Sequence, residues 1–295
     1  MVPTDPAYRR TVGEVLARYE LEPSLRDVFV EGPTDRVIIR AALLELGHTS
    51  IGVYEIDTVD VPAHLLEAMD LQVGSRSRVI GLAAQLEVRA TKDLIRQVVC
   101  LVDTDFDEVL GRKRMLRLLV YTNGTALDTF LLDDLTLGKL LGIVLLDFPL
   151  SAAELKLRII PILRELFLHR MAASELGLHV APPSLDKDFH FDRKHKTMTF
   201  DAKAYVDRFL SKAGARRRRD EFIALVDDFR GRLGVDPITH VHVDDLLEIV
   251  HSCARATKPR VVPGLAQFRR FMYGVVDTFS IAQLPEVKEI VGRLT

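Results

Sequence analysis

The pattern of apolar and polar positions divides the chain into two textures. Up to about residue 121, short apolar runs alternate with helical repeats. The triplet at 28–30 predicts a short buried strand, and the residues ahead of it predict a leading helix. Residues 35–46 predict a helix, because Val37, Ile38, Ala41, Leu43 and Leu44 recur at helical spacing and Gly47 supplies a C-cap. Residues 51–56 alternate as a strand does, and 78–88 read as a second helix. Val98–Val102 is a continuous, mostly β-branched run of buried-strand length, and 116–121 adds a fourth strand. Strands separated by helices need crossover connections, which implies an α/β fold with a mostly parallel sheet and helices on both faces. From about residue 124 the pattern becomes helical, at 127–132, 135–144, 152–176, 202–210, 220–233, 243–254, 265–275 and 284–294. A polar stretch at 186–200 interrupts it and predicts a small hairpin. The expected organisation is an α/β module over 1–122 followed by a mainly helical region over 123–295.

Composition narrows this only a little. The chain has 295 residues, 48% of them hydrophobic and 28% charged, which suits one large or two modest globular domains with a real core. A formal net charge of −2 does not announce a nucleic-acid partner, although a local basic face can serve one. The two cysteines, Cys100 and Cys253, make no disulfide framework, and Cys100 lies in an apolar run as a small hydrophobe. No apolar stretch approaches the ~20 residues that span a bilayer, and the start MVPTDPAYRR lacks the apolar core of a signal peptide. The expectation is a cytoplasmic protein without a membrane partner.

Acidic residues at the strand ends carry the candidate chemistry. In a parallel α/β sheet, ligands bind beyond the carboxyl ends of the strands. Glu31 follows the first strand and Asp103 follows Val98–Val102, so both belong on one rim. Asp103, Asp105 and Asp107 alternate, and an extended exit from the strand would send all three the same way. Asp35 opens a helix, where the dipole also favours a carboxylate. Taken singly, each acid has a plain reading as a helix-terminal or loop residue. Together they repel one another unless a hard dication is present. Mg²⁺ typically takes one or two carboxylates plus water and substrate phosphate. Two such ions about 4 Å apart stabilise both the attacking and the leaving oxygen of a phosphodiester.

These residues carry a resemblance. VFVEGPTDRVIIRAAL resembles the strand-Glu-Gly-x-x-Asp-helix signature of the Toprim fold, and VVCLVDTDFD resembles its second signature, a strand ending in DxD. Type IA and II topoisomerases, bacterial primases and OLD-type nucleases share that fold. The resemblance implies a four-stranded Toprim sheet and a Mg²⁺ site, with Mn²⁺ as a substitute ion. It makes Glu31, Asp35, Asp103 and Asp105 the catalytic set. Glu31 is then the general acid/base or a metal-positioning group, Asp103 and Asp105 are metal ligands, and Asp107 is an additional or water-mediated ligand. The chain is most similar to stand-alone Toprim proteins, some of which work beside an ABC-type ATPase in bacterial anti-phage defence. GSRSRVIGLAAQ, TNGTALDTFLLDD and HVHVDDLLEIVHSC resemble further segments of that group. The second of these brings Asp128 into the metal set, at a place where the group usually has Glu. The third departs at His242 and Val243, where the group often has Gly-His before the acid.

Elimination then favours phosphodiester hydrolysis. A topoisomerase needs a separate nucleophilic-tyrosine domain, and primases of this fold usually carry a zinc ribbon that two isolated cysteines cannot form. No G-x-x-x-x-G-K-[ST] occurs, so any ATPase is a partner. The expected function is a Mg²⁺-dependent nuclease acting on DNA or RNA, controlled by a partner ATPase. Arg76, Arg78, Arg112, Lys113 and Arg114 are the candidate nucleic-acid contacts, while Arg216–Arg219 reads rather more as a solvated helix start. Apolar helical surface after residue 150 leaves room for a homodimer or an ATPase interface. His190, His195, His240 and His242 read as surface histidines rather than zinc ligands. Two rival readings are kept open: a non-catalytic adaptor that binds nucleic acid or a partner, and a haloacid-dehalogenase-like phosphatase with Asp103 as nucleophile.

Overall fold

The computed structural model describes residues 9–89, 93–234, 236 and 240–295. The chain forms two compact units. One takes the chain up to Thr104, then Lys113–Asn123 and Thr278–Thr295; the other takes Asp105–Arg112 and Gly124–Asp277.

In the first unit the chain runs through β1 (Arg10–Thr11), α1 (Val12–Leu21), β2 (Asp27–Val30), α2 (Pro33–Glu45), β3 (Gly52–Glu55), β4 (Val59–Asp60), α3 (Ala63–Glu67), α4 (Ser75–Val88) and β5 (Val98–Val102). After α5 (Asp107–Leu110), which belongs to the second unit, β6 (Leu119–Tyr121) completes a four-stranded parallel sheet in the order β3-β2-β5-β6. The mixed α/β class expected from the pattern is therefore present. Every residue of β2 and β5 is buried, which is why the apolar run of β5 is continuous rather than alternating. Phe29, Val98, Cys100 and Val102 pack with Val15 and Tyr19 of α1 and with Val79, Ile80, Ala83 and Leu86 of α4.

The other face is covered from the far end of the sequence. The C-terminal helices α12 (Thr278–Ala282) and α13 (Pro285–Leu294) pack on α2, and α13 also packs on β5 and β6. Val287, Ile290 and Leu294, one helical stripe, are buried there. A division at residue 122 thus describes the sequence texture but not the packing, because a central strand buried on both faces needs a second cover.

Local chemistry sets the element ends. Pro33 occupies the first turn of α2, where its missing N–H costs nothing. Gly47 closes that helix at φ 81°, and the His48 N–H donates to the Leu43 carbonyl at 2.8 Å. At the amino end of β2, Asp27 is buried and accepts a 3.0 Å hydrogen bond from the Tyr19 hydroxyl, with Arg18 Nη1 3.4 Å away. Burial raises the Asp27 pKa, and Arg18 works against it. Gly52 is required beside it, since a Cβ there would lie 2.5 Å from Asp27 Oδ1.

In the second unit, α6 (Asp134–Lys139), α7 (Ala152–Glu175), the antiparallel hairpin β7 (Phe189–Asp192) and β8 (Thr197–Phe200), α8 (Ala202–Lys212), α9 (Arg219–Arg232), α10 (Val243–Thr257) and α11 (Leu265–Gly274) follow the expected helical repeats closely. Residues Leu127–Leu132 wind as a 3₁₀ turn, burying Leu127, Phe130 and Leu131, before Asp133 caps α6 by accepting from the Leu135 and Thr136 amides. Phe167, Met171 and Ala172 of α7 pack with Phe209 of α8 and with Phe222, Val226 and Phe229 of α9. Arg170 ties α7 to α10 through two hydrogen bonds of 2.7 Å to buried Asp245. Among the described residues, no helix is long and apolar enough to cross a membrane.

Candidate functional site

The carboxyl end of the sheet in the first unit brings two of the singled-out acids together. β2 and β5 are neighbours with Asp27 opposite Val98 and Phe29 opposite Cys100, so continuing that register sets Glu31 level with Val102. One residue further, the Asp103 N–H donates to Glu31 Oε1 at 2.9 Å. Two residues 72 positions apart in sequence therefore meet because their strands run parallel and adjacent. Arg76, in the first turn of α4, donates its Nε to the Asp103 carbonyl at 3.1 Å and so places a guanidinium at the same rim.

Asp35 does helix-terminal work: its Oδ2 accepts from the Gly32 N–H at 3.0 Å, closing the first turn of α2. It thereby fixes the backbone immediately after Glu31. Thr104 fixes the exit from β5. It is buried, its N–H donates to Thr122 Oγ1 at 3.0 Å, and its hydroxyl donates to the Thr122 carbonyl at 2.5 Å. This threonine pair was not singled out from the sequence, where nothing but β-branching marks it.

Beyond Thr104 the chain passes into the second unit, so the VDTDFD signature is divided between the two. The expected extended exit does not occur. Asp105 turns at φ 45°, a left-handed conformation that aspartate tolerates better than most residues, and its N–H donates to the Thr125 carbonyl at 2.6 Å. Asp107 then begins the short helix α5. The acids of the signature are thus set by a turn and a helix start, and strand alternation does not apply past Asp103.

Asp128 also lies in the second unit, in the 3₁₀ turn. Its Oδ2 accepts from the Tyr273 hydroxyl at 2.5 Å, while its Oδ1 is buried with no hydrogen-bond partner among the described residues. Burial is the main cause of a raised Asp128 pKa; the Tyr273 bond and Arg269 oppose it and Asp244 adds to it. Tyr273, Arg269 and Asp244 come from α10 and α11, and no spacing in the sequence linked them to Asp128. Among the described residues, no three His, Cys, Asp or Glu side chains are gathered as a metal-binding group.

The basic candidates differ in how they are held. The Arg78 side chain is only 15% exposed; it pairs with Asp57 and donates to the Ile56 and Val59 carbonyls. Arg114 donates to the Met69 carbonyl at 2.5 Å, and its N–H reaches the Tyr121 hydroxyl. Both hold loops of the first unit. Lys113 Nζ lies 5.3 Å from the centre of the Tyr121 ring. Arg112, in the second unit, forms a two-pronged pair with Glu175, both bonds 2.9 Å, and remains 56% exposed. In the arginine run, Arg218 pairs with Glu221 and Arg219 with Asp207, as a solvated helix start would. His240 is buried, with its ring 5.7 Å from that of Phe167, and His242 caps α10 by accepting from the Asp244 N–H; burial lowers the pKa of both. The expectation of surface histidines fails at His240, which is enclosed beside Phe167, whereas His242 keeps 32% of its side chain exposed.

Comparison with protein-family models and with curated proteins gives no match to this chain.

Proposed function

We propose that the protein is a metal-dependent nuclease of the Toprim type, hydrolysing phosphodiester bonds of DNA or RNA in the presence of Mg²⁺. The observation that supports this reading most directly is the hydrogen bond from the Asp103 N–H to Glu31 at the carboxyl ends of adjacent parallel strands. That edge is where α/β sheets bind ligands, and the residues at it match both sequence signatures.

The donor set suits the ion: carboxylate oxygens are hard ligands, and Mg²⁺ needs only one or two of them when water and substrate phosphate complete the shell. Glu31 and Asp103 are the proposed holders at the rim, with Asp105 and Asp107 following in the chain. Mg²⁺, when bound, supplies Lewis acidity toward the attacking water and the leaving oxygen. Glu31 positions the water and takes its proton. Arg76, anchored through the Asp103 carbonyl, orients a phosphate beside the acids. Asp35 and Thr104 keep the two strand exits in place. Asp128 stays outside the proposed ligand set: Tyr273 holds one of its oxygens, and burial, the main cause of its raised pKa, works against the charged form that a cation needs. With no nucleotide-binding loop signature in the sequence, an ATPase partner, as in ATPase-coupled anti-phage systems, supplies any energy-dependent control.

The test is cleavage of duplex DNA, single-stranded DNA and structured RNA with Mg²⁺ or Mn²⁺ by the wild type, Glu31→Gln and Asp103→Asn, alongside calorimetric Mn²⁺ titration. The expected result is metal-dependent cleavage by the wild type alone and weakened Mn²⁺ binding in both variants. Equal cleavage by all three proteins overturns the proposal.

A further inference from the structure

The helix that follows Glu31 has two apolar faces. Ile38, Ile39, Ala42 and Leu43 of α2 are buried in the first unit. On the opposite side, Val37 is 61% exposed and Leu44 48% exposed, and with Ala41 they line an open groove of about 360 Å³ bordered by Arg36 and Arg40. Val37, Ala41 and Leu44 stand at i, i+4 and i+7, so they form one stripe along the axis. That is the spacing of a helix–helix seam with a small residue at its middle, where two backbones approach closely. Phe279, 60% exposed, lies on the neighbouring α12, whose Thr278 hydroxyl donates to Glu45.

The charges beside the stripe select what covers it. At 100° per residue, Arg40 falls to one side of the stripe and Glu45 to the other. If two copies of α2 pack with the same direction about a twofold axis, the Arg40 side of each faces the Glu45 side of its partner. The spacing from 40 to 45 is the five-residue offset of the flanking ion pairs in parallel coiled coils. An antiparallel pair sets Arg40 against Arg40. We propose that the solvent face of α2 pairs in parallel with α2 of a second copy of this chain. Val37, Ala41 and Leu44 form the seam and two Arg40–Glu45 pairs close its sides. Because α2 begins two residues after Glu31, the pairing sets the strand-end rims of both copies at the same end. The seam is short, so the association is concentration-dependent, as it is for interfaces under about 1,200 Å².

Sedimentation of the full chain over a concentration series tests this. The wild type shifts from monomer to dimer as concentration rises, and Val37→Asp or Leu44→Asp stays monomeric with an unchanged circular-dichroism spectrum. Arg40→Glu and Glu45→Arg each weaken the dimer roughly tenfold in dissociation constant. Mixing these two variants restores affinity to the wild-type level, because every cross pair is then opposite in charge. An antiparallel seam, which opposes like charges in the wild type, would lose little from either single variant and would bind the mixture more tightly than the wild type. Ala41→Cys gives a reducible linked dimer, and the native Cys100 and Cys253, both buried, add none. A wild type that stays monomeric at every concentration assigns the stripe to a different partner and overturns the proposal. So does a dimer that survives both aspartate substitutions, or a mixture that pairs no better than its components.

Discussion

Glu31 and Asp128 are both acids brought forward by the same sequence resemblance, yet the two regions of the molecule treat them differently. Glu31 stands at the end of a buried strand and meets the backbone of Asp103 on the next strand. Its location follows from topology: any residue leaving β2 at that point faces the same rim. Asp128 stands in a 3₁₀ turn within a helical unit, wrapped by Tyr273 and with Arg269 and Asp244 contributing to its field. Its surroundings come from side chains more than 100 positions away, with no repeating geometry to deliver them. A strand end presents its acid to a ligand, whereas a helical core must satisfy its acid internally or raise its pKa.

The largest expected effect breaks or keeps this contrast directly. Asp103→Asn and Glu31→Gln are expected to lower cleavage by about 100-fold or more, the scale of a lost acid–base or ligand group, while Asp128→Asn leaves the rate nearly unchanged. Measured single-turnover rates decide it, and an equal fall in all three would put Asp128 back in the metal set.

The second effect is on stability and belongs to the helical unit. Asp245→Ala leaves the largely buried guanidinium of Arg170 without its carboxylate, which costs about 3–5 kcal/mol. Hydrogen exchange is expected to show protection lost in α7 and α10 and kept in β2 and β5. Uniform loss across both units would mean that the two do not unfold separately.

How far the sequence carried the fold and the site follows the same division. The strands of the sheet were legible because a buried parallel strand must be apolar throughout, and Val98–Val102 is. The meeting of Glu31 with Asp103 was legible because parallel strands put their carboxyl ends on one edge. The turn at Asp105 was not, since a left-handed aspartate leaves no periodic trace. Nor was the two-residue pairing of β1 with β4, which is too short to show alternation. Arg78 and Arg114 look like any other cations in the sequence; only tertiary contacts reveal that they hold the Ile56, Val59 and Met69 carbonyls. The return of α13 to the sheet was legible as a helix but not as a cover, because an amphipathic stripe does not name the surface it meets.

A smaller effect sharpens the strand-end half of the comparison. Thr104→Val keeps the shape of the side chain and removes its hydroxyl, leaving the Thr122 carbonyl without that donor in a buried place. The expected loss is about 1–3 kcal/mol by denaturant titration. Cleavage should fall as well, because Thr104 joins Asp103 to the turn at Asp105. A stable Thr104→Val protein with full activity would show that the rim does not depend on this lock.

The smallest effect reads the Asp128 environment by pH. Burial raises the carboxyl pKa of Asp128 above its ordinary 3.8 in the folded chain. The sign follows: the folded state binds the proton more tightly than the unfolded one, so this group favours folding most below 3.8 and progressively less as pH rises through the folded value. Asparagine at 128 does not titrate and still offers an oxygen to the Tyr273 hydroxyl. Asp128→Asn is therefore expected to be more stable than the wild type at neutral pH, on a scale of about 1 kcal/mol for each unit by which burial raises the pKa, because it buries no charge; its amide nitrogen, which takes the place of Oδ1, offsets part of that gain. The gap should narrow as the pH is brought toward 3.8. Arg269 limits the gain, since it loses an attractive charge when the carboxylate goes, and a double variant with Arg269→Gln removes that compensation. If the pH dependence of melting is the same with and without the Asp128 carboxyl, burial does not govern its titration, and the contrast between a presented acid and an enclosed one loses its second half.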